Sequence, residues 1–136
     1  MDYMQALQDK YDALCRMLNA TVACELTGDF DKREEEAQAI ANLYEKRETI
    51  IFQINGFDII LNKLKSQRGK QADALDSKIK QKAAEILEID KSRMVLYNRI
   101  MEHTKADMKK LSQGKHLSAK YDDDSYVAGY YVDKSN

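Results

Sequence analysis

The sequence predicts an all-α protein: an antiparallel three-helix bundle, or long α-hairpin with a packed first helix, followed by a non-helical C-terminal tail. Three observations predict it. The chain has no proline and only five glycines in 136 residues, where average usage would place about seven prolines, and this excludes most turn-rich β architectures. Apolar residues recur three and four positions apart through most of the first 113 residues, which is the period of a helix face. Hydrophobic residues make up 43% and charged residues 33%, with 22 basic against 23 acidic side chains. That balance suits one ordinary domain with a real core and not a disordered polyelectrolyte. The expected division is a bundle domain over residues 1–114 and a tail over residues 115–136.

The first helix is predicted over residues 2–27, with the stripe Met4, Leu7, Tyr11, Leu14, Leu18, Val22 and Leu26. Asp2 is the expected N-cap, and Thr27-Gly28 the expected close, since glycine reaches the left-handed conformation without a Cβ penalty. A single stripe suits an outer member of the bundle.

The second helix is expected to be capped by Asp29 or Asp31. Its acidic start, Glu34-Glu35-Glu36, lies where the helix dipole favours carboxylates. The expected core face is Phe30, Ala37, Ile40, Leu43, Tyr44, Ile50, Ile51 and Ile54. Asn55-Gly56 is a turn dipeptide, yet Ile50, Ile54, Phe57, Leu61 and Leu64 keep the same phase across it. The helix is therefore expected to kink at Gly56 and continue to about Ser66.

The third helix is predicted over residues 71–113, with two adjoining seams. One is Ala83, Leu87, Asp90, Met94, Tyr97, Met101, Thr104, Met108 and Leu111; the other is Ile79, Ile86, Ile89, Leu96 and Ile100. Two seams imply two partners, so this helix is expected to be the central one. Asp90 interrupts its seam, and a buried carboxylate needs a partner, for which Arg93, Tyr44 and Arg47 are the candidates. Lys105, Lys109, Lys110 and Gly114 form the expected C-terminal end.

Beyond it, periodicity stops and four of the eight tyrosines gather as Tyr121, Tyr126, Tyr130 and Tyr131 around Asp122-Asp123-Asp124. Net charge is uneven: −2 over residues 1–28, −3 over 29–56, +7 over 57–120 and −3 over 121–136. The expected arrangement sets the basic third helix against the acidic helices and tail.

No catalytic constellation is visible. The two histidines, His103 and His116, belong to no Glu-x-x-His pair, and neither zinc spacing nor a phosphate-cradling loop occurs, so no cofactor and no metal are expected. His103 is expected to be a partly exposed helix residue. Cys15 and Cys24, nine positions apart, point to opposite sides of a helix and are expected to be small buried apolar residues in a reducing compartment. The lysines of the basic segment alternate with Glu85, Glu88, Glu102 and Asp107, which speaks against nucleic acid. No apolar run approaches the ~18 residues of a membrane span, and Met1 is followed by Asp2 instead of a basic leader. A soluble, unprocessed cytoplasmic protein is the expectation.

What remains is binding to another protein. Met94, Met101 and Met108 share one heptad position, and flexible thioethers adapt to varied surfaces. With Tyr97 they form the expected client-binding face. The tail residues Tyr121, Tyr126, Tyr130, Tyr131 and Val132 are expected to dock on that face and compete with, or complete, the site. A second copy of the chain is a further partner such stripes admit.

The order of residues resembles the flagellar export chaperone family FliT. The likeness lies in Gly28-Asp29-Phe30 between the first helices and in Ile86-Leu87-Glu88-Ile89-Asp90 in the last helix. It continues in Leu111-Ser112-Gln113-Gly114-Lys115 leading to Tyr121, and in the ending Gly129-Tyr130-Tyr131-Val132-Asp133-Lys134. It extends in pattern over nearly the whole chain. The resemblance implies a cytosolic helical protein that binds the C-terminal region of the filament cap protein FliD, prevents premature assembly and delivers it to the export apparatus. Two departures stand out: the Pro-containing connection of the enterobacterial members is missing, and a tyrosine-rich tail replaces their short final helix. Their regulation of transcription is therefore not carried over. A FlgN-like chaperone of hook-associated proteins and a structural coiled-coil adaptor are the alternatives.

Overall fold

In a computed structural model, which describes the backbone of residues 1–110 and the side chains of residues 1–105, the chain forms three long helices: α1 (Tyr3–Ala23), α2 (Arg33–Lys63) and α3 (Gln71–Lys110). Single 3-10 turns, Phe30–Lys32 and Lys65–Gln67, precede α2 and follow it. The helices run alternately up and down. The backbone N–H of Tyr3 donates to Gln67 Oε1 at 3.1 Å, so α1 starts beside the α2–α3 connection. At the other end, the ring of Phe30 meets His103 edge-on at 5.0 Å.

Asp2 caps α1 as expected, accepting from the Gln5 backbone N–H at 2.7 Å. The helix then stops at Ala23 and not at Thr27, with Cys24 in extended backbone. Its last turn contains no basic residue. Arg93 of α3 supplies that charge from across the bundle, its Nη1 donating to the Thr21 carbonyl at 2.6 Å where the helix dipole is negative. Gly28 does take a left-handed φ of 77°, but several residues past the helix end, where it turns the chain toward α2. Neither Asp29 nor Asp31 provides a side-chain cap for α2: Asp29 precedes the 3-10 turn, Asp31 lies within it, and the N-cap position falls to Lys32.

α2 is unbroken through Gly56, as the continuous phase required, and ends at Lys63. α3 begins at Gln71, where expected; its predicted last residues, 111–113, lie outside the described residues. So does the tail, together with the docking expected of it. At the foot of the bundle, Arg68 ties the connection to the first turns of α3 through Asp73 and Asp76, at 2.8 and 2.6 Å.

The core has two parts. The larger joins all three helices through Tyr3, Ala6, Leu7, Ala13, Leu14 and Met17 of α1, Ile51, Ile54 and Leu61 of α2, and Ala72, Ile79 and Ile86 of α3. The smaller lies beyond the end of α1 and consists of Ala37, Ile40, Tyr97 and Ile100, with Leu26 and Tyr44 packed against it. The expected assignment of inner and outer helices is thus reversed. α1 lies against both neighbours more closely than α2 and α3 lie against each other, because Ala6 and Ala13, fully buried, widen its face beyond the stripe of large residues. Val22, placed in that stripe, is exposed, and so is Phe30, placed in the core of α2.

Candidate functional site

The two cores are separated by one buried ion pair. Arg47 of α2, only 1% exposed, donates through Nη1 and Nη2 to both carboxylate oxygens of Asp90, at 2.9 and 2.8 Å. This bidentate fork is the strong form of the interaction. Of the three partners foreseen for Asp90, Arg47 is the one used, since Arg93 lies one turn further along α3 and is taken up by the end of α1. Burial pulls the Arg47 guanidinium down, but the Asp90 carboxylate outweighs it and holds the group above its ordinary value. Its Nε has no partner among the described residues. The Tyr44 ring lies below the guanidinium at 5.9 Å and meets the Tyr97 ring at 6.4 Å.

Above this joint the four expected client-binding residues separate. The buried rows of α3 are Ile79, Ile86, Arg93, Ile100 and, alongside, Ala83, Asp90, Tyr97, Thr104, partly or fully covered at every position. Tyr97 is therefore a core residue; burial pushes its hydroxyl up, opposed by the nearby guanidinium of Arg93. Met94 and Met101 stand one position outside these rows. Met94 is 52% exposed and Met101 half-buried, while the neighbouring Val95 is 66% exposed. Met108 and the tail residues Tyr121, Tyr126, Tyr130, Tyr131 and Val132 lie outside the described side chains. The exposed part of the candidate face is thus a ledge of Met94 and half-buried Met101, with Val95 about 100° further round α3 at its outer edge, on the half of that helix that α1 does not reach. Val95 was not foreseen, because it belongs to neither seam and only its exposure marks it.

The loop between α1 and α2 walls the same half of the molecule. Glu36 accepts from the backbone N–H and hydroxyl of Thr27 and from the backbone N–H of Gly28. Burial pushes its carboxyl up, yet these three bonds prevail and hold it below the ordinary range. A Cβ on Gly28 would lie 2.9 Å from Leu96 Cδ2 and 3.2 Å from Arg99 Nη1, so the loop sits directly on α3. At the loop's far end, the Arg33 guanidinium lies 4.0 Å from the centre of the Phe30 ring. Nothing in the sequence marked Glu36 as more than part of an acidic helix start.

Cys15 and Cys24 are free thiols, half-buried instead of buried; burial pushes the Cys24 thiol up. His103 is half-buried, as expected of it. Cys24 also lines a shallow open depression with Ala20, Ala23, Ala39, Asn42, Leu43 and Lys46, which lacks the convergent polar groups of a ligand pocket. Among the described residues no three His, Cys, Asp or Glu side chains are grouped to hold a metal, and no helix is long and apolar enough to cross a membrane.

Fold and surface together define an all-α three-helix bundle with an apolar ledge on its longest helix. Comparison with known proteins adds no relative: no family model, no curated protein and no solved structure matches the chain.

Proposed function

We propose that this protein is a cytoplasmic export chaperone of the FliT type, which acts by stoichiometric binding and not by catalysis. Its client is a flagellar axial subunit, the filament cap protein FliD before others, held back from early assembly and handed to the export apparatus. The observation that supports this reading is the ledge of Met94, Val95 and Met101 beyond the end of α1. There a two-helix platform with its own small core leaves apolar side chains in water, and an amphipathic client helix laid along α3 would cover them. Adaptable methionines fit a surface that receives another protein's helix. Tyr97 contributes from beneath, as the packed floor of the platform, and becomes accessible only where α2 and α3 part. Free cysteines accord with a reducing compartment.

Co-expression with candidate cap, hook-junction and flagellin subunits, followed by size-exclusion chromatography, tests the reading. A complex with the cap protein is expected. A complex with a hook-junction protein would indicate the FlgN-like alternative, and no complex with any of them would leave a structural adaptor.

A further inference from the structure

The lower half of α2 turns an apolar face to water beside a run of unpaired cations. Phe52 is 80% exposed and Ile59, two turns on, 59% exposed, and neither belongs to a core. Lys63 follows one turn below Ile59, and the three side chains fall within an arc of about 40° at 100° per residue. Lys65 stands in the 3-10 turn that follows and Lys70 just before α3, both exposed like Lys63. None of these three lysines takes part in an ion pair among the described residues. From residue 52 to residue 70 the only acidic side chain is Asp58, and Lys10 holds it at 2.7 Å. Glu48 and Glu45, one and two turns above Phe52 on the same face, close the patch at its upper end.

Bare apolar and cationic groups side by side fit a partner that is apolar beneath and anionic at its surface. Shape narrows the choice. A partner helix is ordinarily received in a hydrophobic groove, but Phe52 and Ile59 project from the convex back of α2, and the depression beside that helix lies elsewhere, at Ala39, Asn42, Leu43 and Lys46. We propose that the lower face of α2 rests on an anionic phospholipid surface, with Phe52 and Ile59 entering the headgroup boundary and Lys63, Lys65 and Lys70 facing the lipid phosphates. The contact is with the surface of the bilayer and involves no crossing of it. Two apolar side chains and three lysines give a weak, reversible adsorption that needs both kinds of group and that salt screens. The Arg47–Asp90 pair lies between this face and the α3 ledge along the bundle, so an adsorbed chain keeps the ledge in water. The proposal does not rest on the identity of any client.

The chain contains no tryptophan, so Phe52→Trp in the full chain places a single reporter in the patch. With vesicles of phosphatidylcholine containing about 30% phosphatidylglycerol, its emission is expected to shift to the blue and to be quenched by brominated lipid. Vesicles of phosphatidylcholine alone leave it unchanged, and Phe30→Trp, at the opposite end of α2, shows no shift with either. The unsubstituted chain sediments with the anionic vesicles at about 0.05 M salt and is released at about 0.5 M. Phe52→Glu, and Lys63→Glu combined with Lys65→Glu, each lower the bound fraction several-fold with an unchanged circular dichroism spectrum. Absence of binding to the anionic vesicles at low salt overturns the proposal. So does equal binding to neutral vesicles, adsorption that survives Phe52→Glu, or a shift at Phe30→Trp as large as that at Phe52→Trp. A shift of the Phe52→Trp reporter with an acidic amphipathic helical peptide but not with vesicles also overturns it, and assigns the face to a protein partner.

Discussion

Arg47 and Asp90 illustrate how a charge pair inside a helical bundle works. Each ion left water on folding, and the fork between them offsets that cost only while both are present. Asp90→Ala therefore leaves a buried, unpaired guanidinium and is expected to lower unfolding stability by about 3–5 kcal/mol. The double variant Arg47→Leu/Asp90→Leu should recover most of that loss, which urea denaturation of the three proteins will show. Glu36 differs, because it is held by neutral donors. Its folded carboxyl lies below the ordinary range, so its stabilisation is fully present above the unfolded pKa of about 4.3 and is lost as pH falls through the folded value. Glu36→Gln should cost about 1–2 kcal/mol near neutrality. It should also flatten the acid limb of the stability profile below about pH 4, measured by denaturation at several pH values.

At the scale of elements, two glycines have opposite roles. Gly28 turns the α1–α2 loop with a φ of 77° and lies against Leu96 and Arg99, so Gly28→Ala combines backbone strain with a steric push. A loss of about 1–2 kcal/mol is expected, with increased amide exchange in the loop and in the facing turn of α3. Gly56 lies in regular helix with open space around it. Gly56→Ala should raise stability by up to about 1 kcal/mol, read from thermal or chemical denaturation. The early end of α1 follows from the same reasoning: the Thr21 carbonyl meets Arg93, and a helix extended past that point would displace the guanidinium that completes it.

For the molecule as a whole, three helices of unequal length leave an apolar ledge on α3 uncovered. α1 has 21 residues, α2 has 31 and α3 has 40, so the upper part of α3 has one helix beside it and not two. The loop carrying Leu26 and Gly28 fills one side of that gap, and Met94 and Val95 remain in water on α3. If this ledge receives the client, Met94→Glu and Val95→Glu should each weaken cap-protein binding at least about tenfold by titration calorimetry, with folding unaffected because both side chains are exposed. Equal binding by wild type and both variants would remove the ledge from the client site.

The class of fold, the three helices and most of their starts were legible in the residues, because a 3.6-residue period, an aspartate cap and the absence of proline act locally along the chain. The turn of Gly28 and the continuity of α2 through Gly56 were legible for the same reason, as was a buried partner for Asp90. The choice of Arg47 over Arg93, the exposure of Met94 and Val22, and the central place of α1 were not. Each depends on where a neighbouring helix ends or how closely it approaches. A stripe of large residues shows which way a helix faces, but fully buried alanines such as Ala6 and Ala13 decide how many neighbours it can hold, and an alanine looks the same in sequence whether buried or exposed. Relative helix length and the meeting of side chains far apart in the chain exist only once the bundle has packed, and those two features created the ledge on α3.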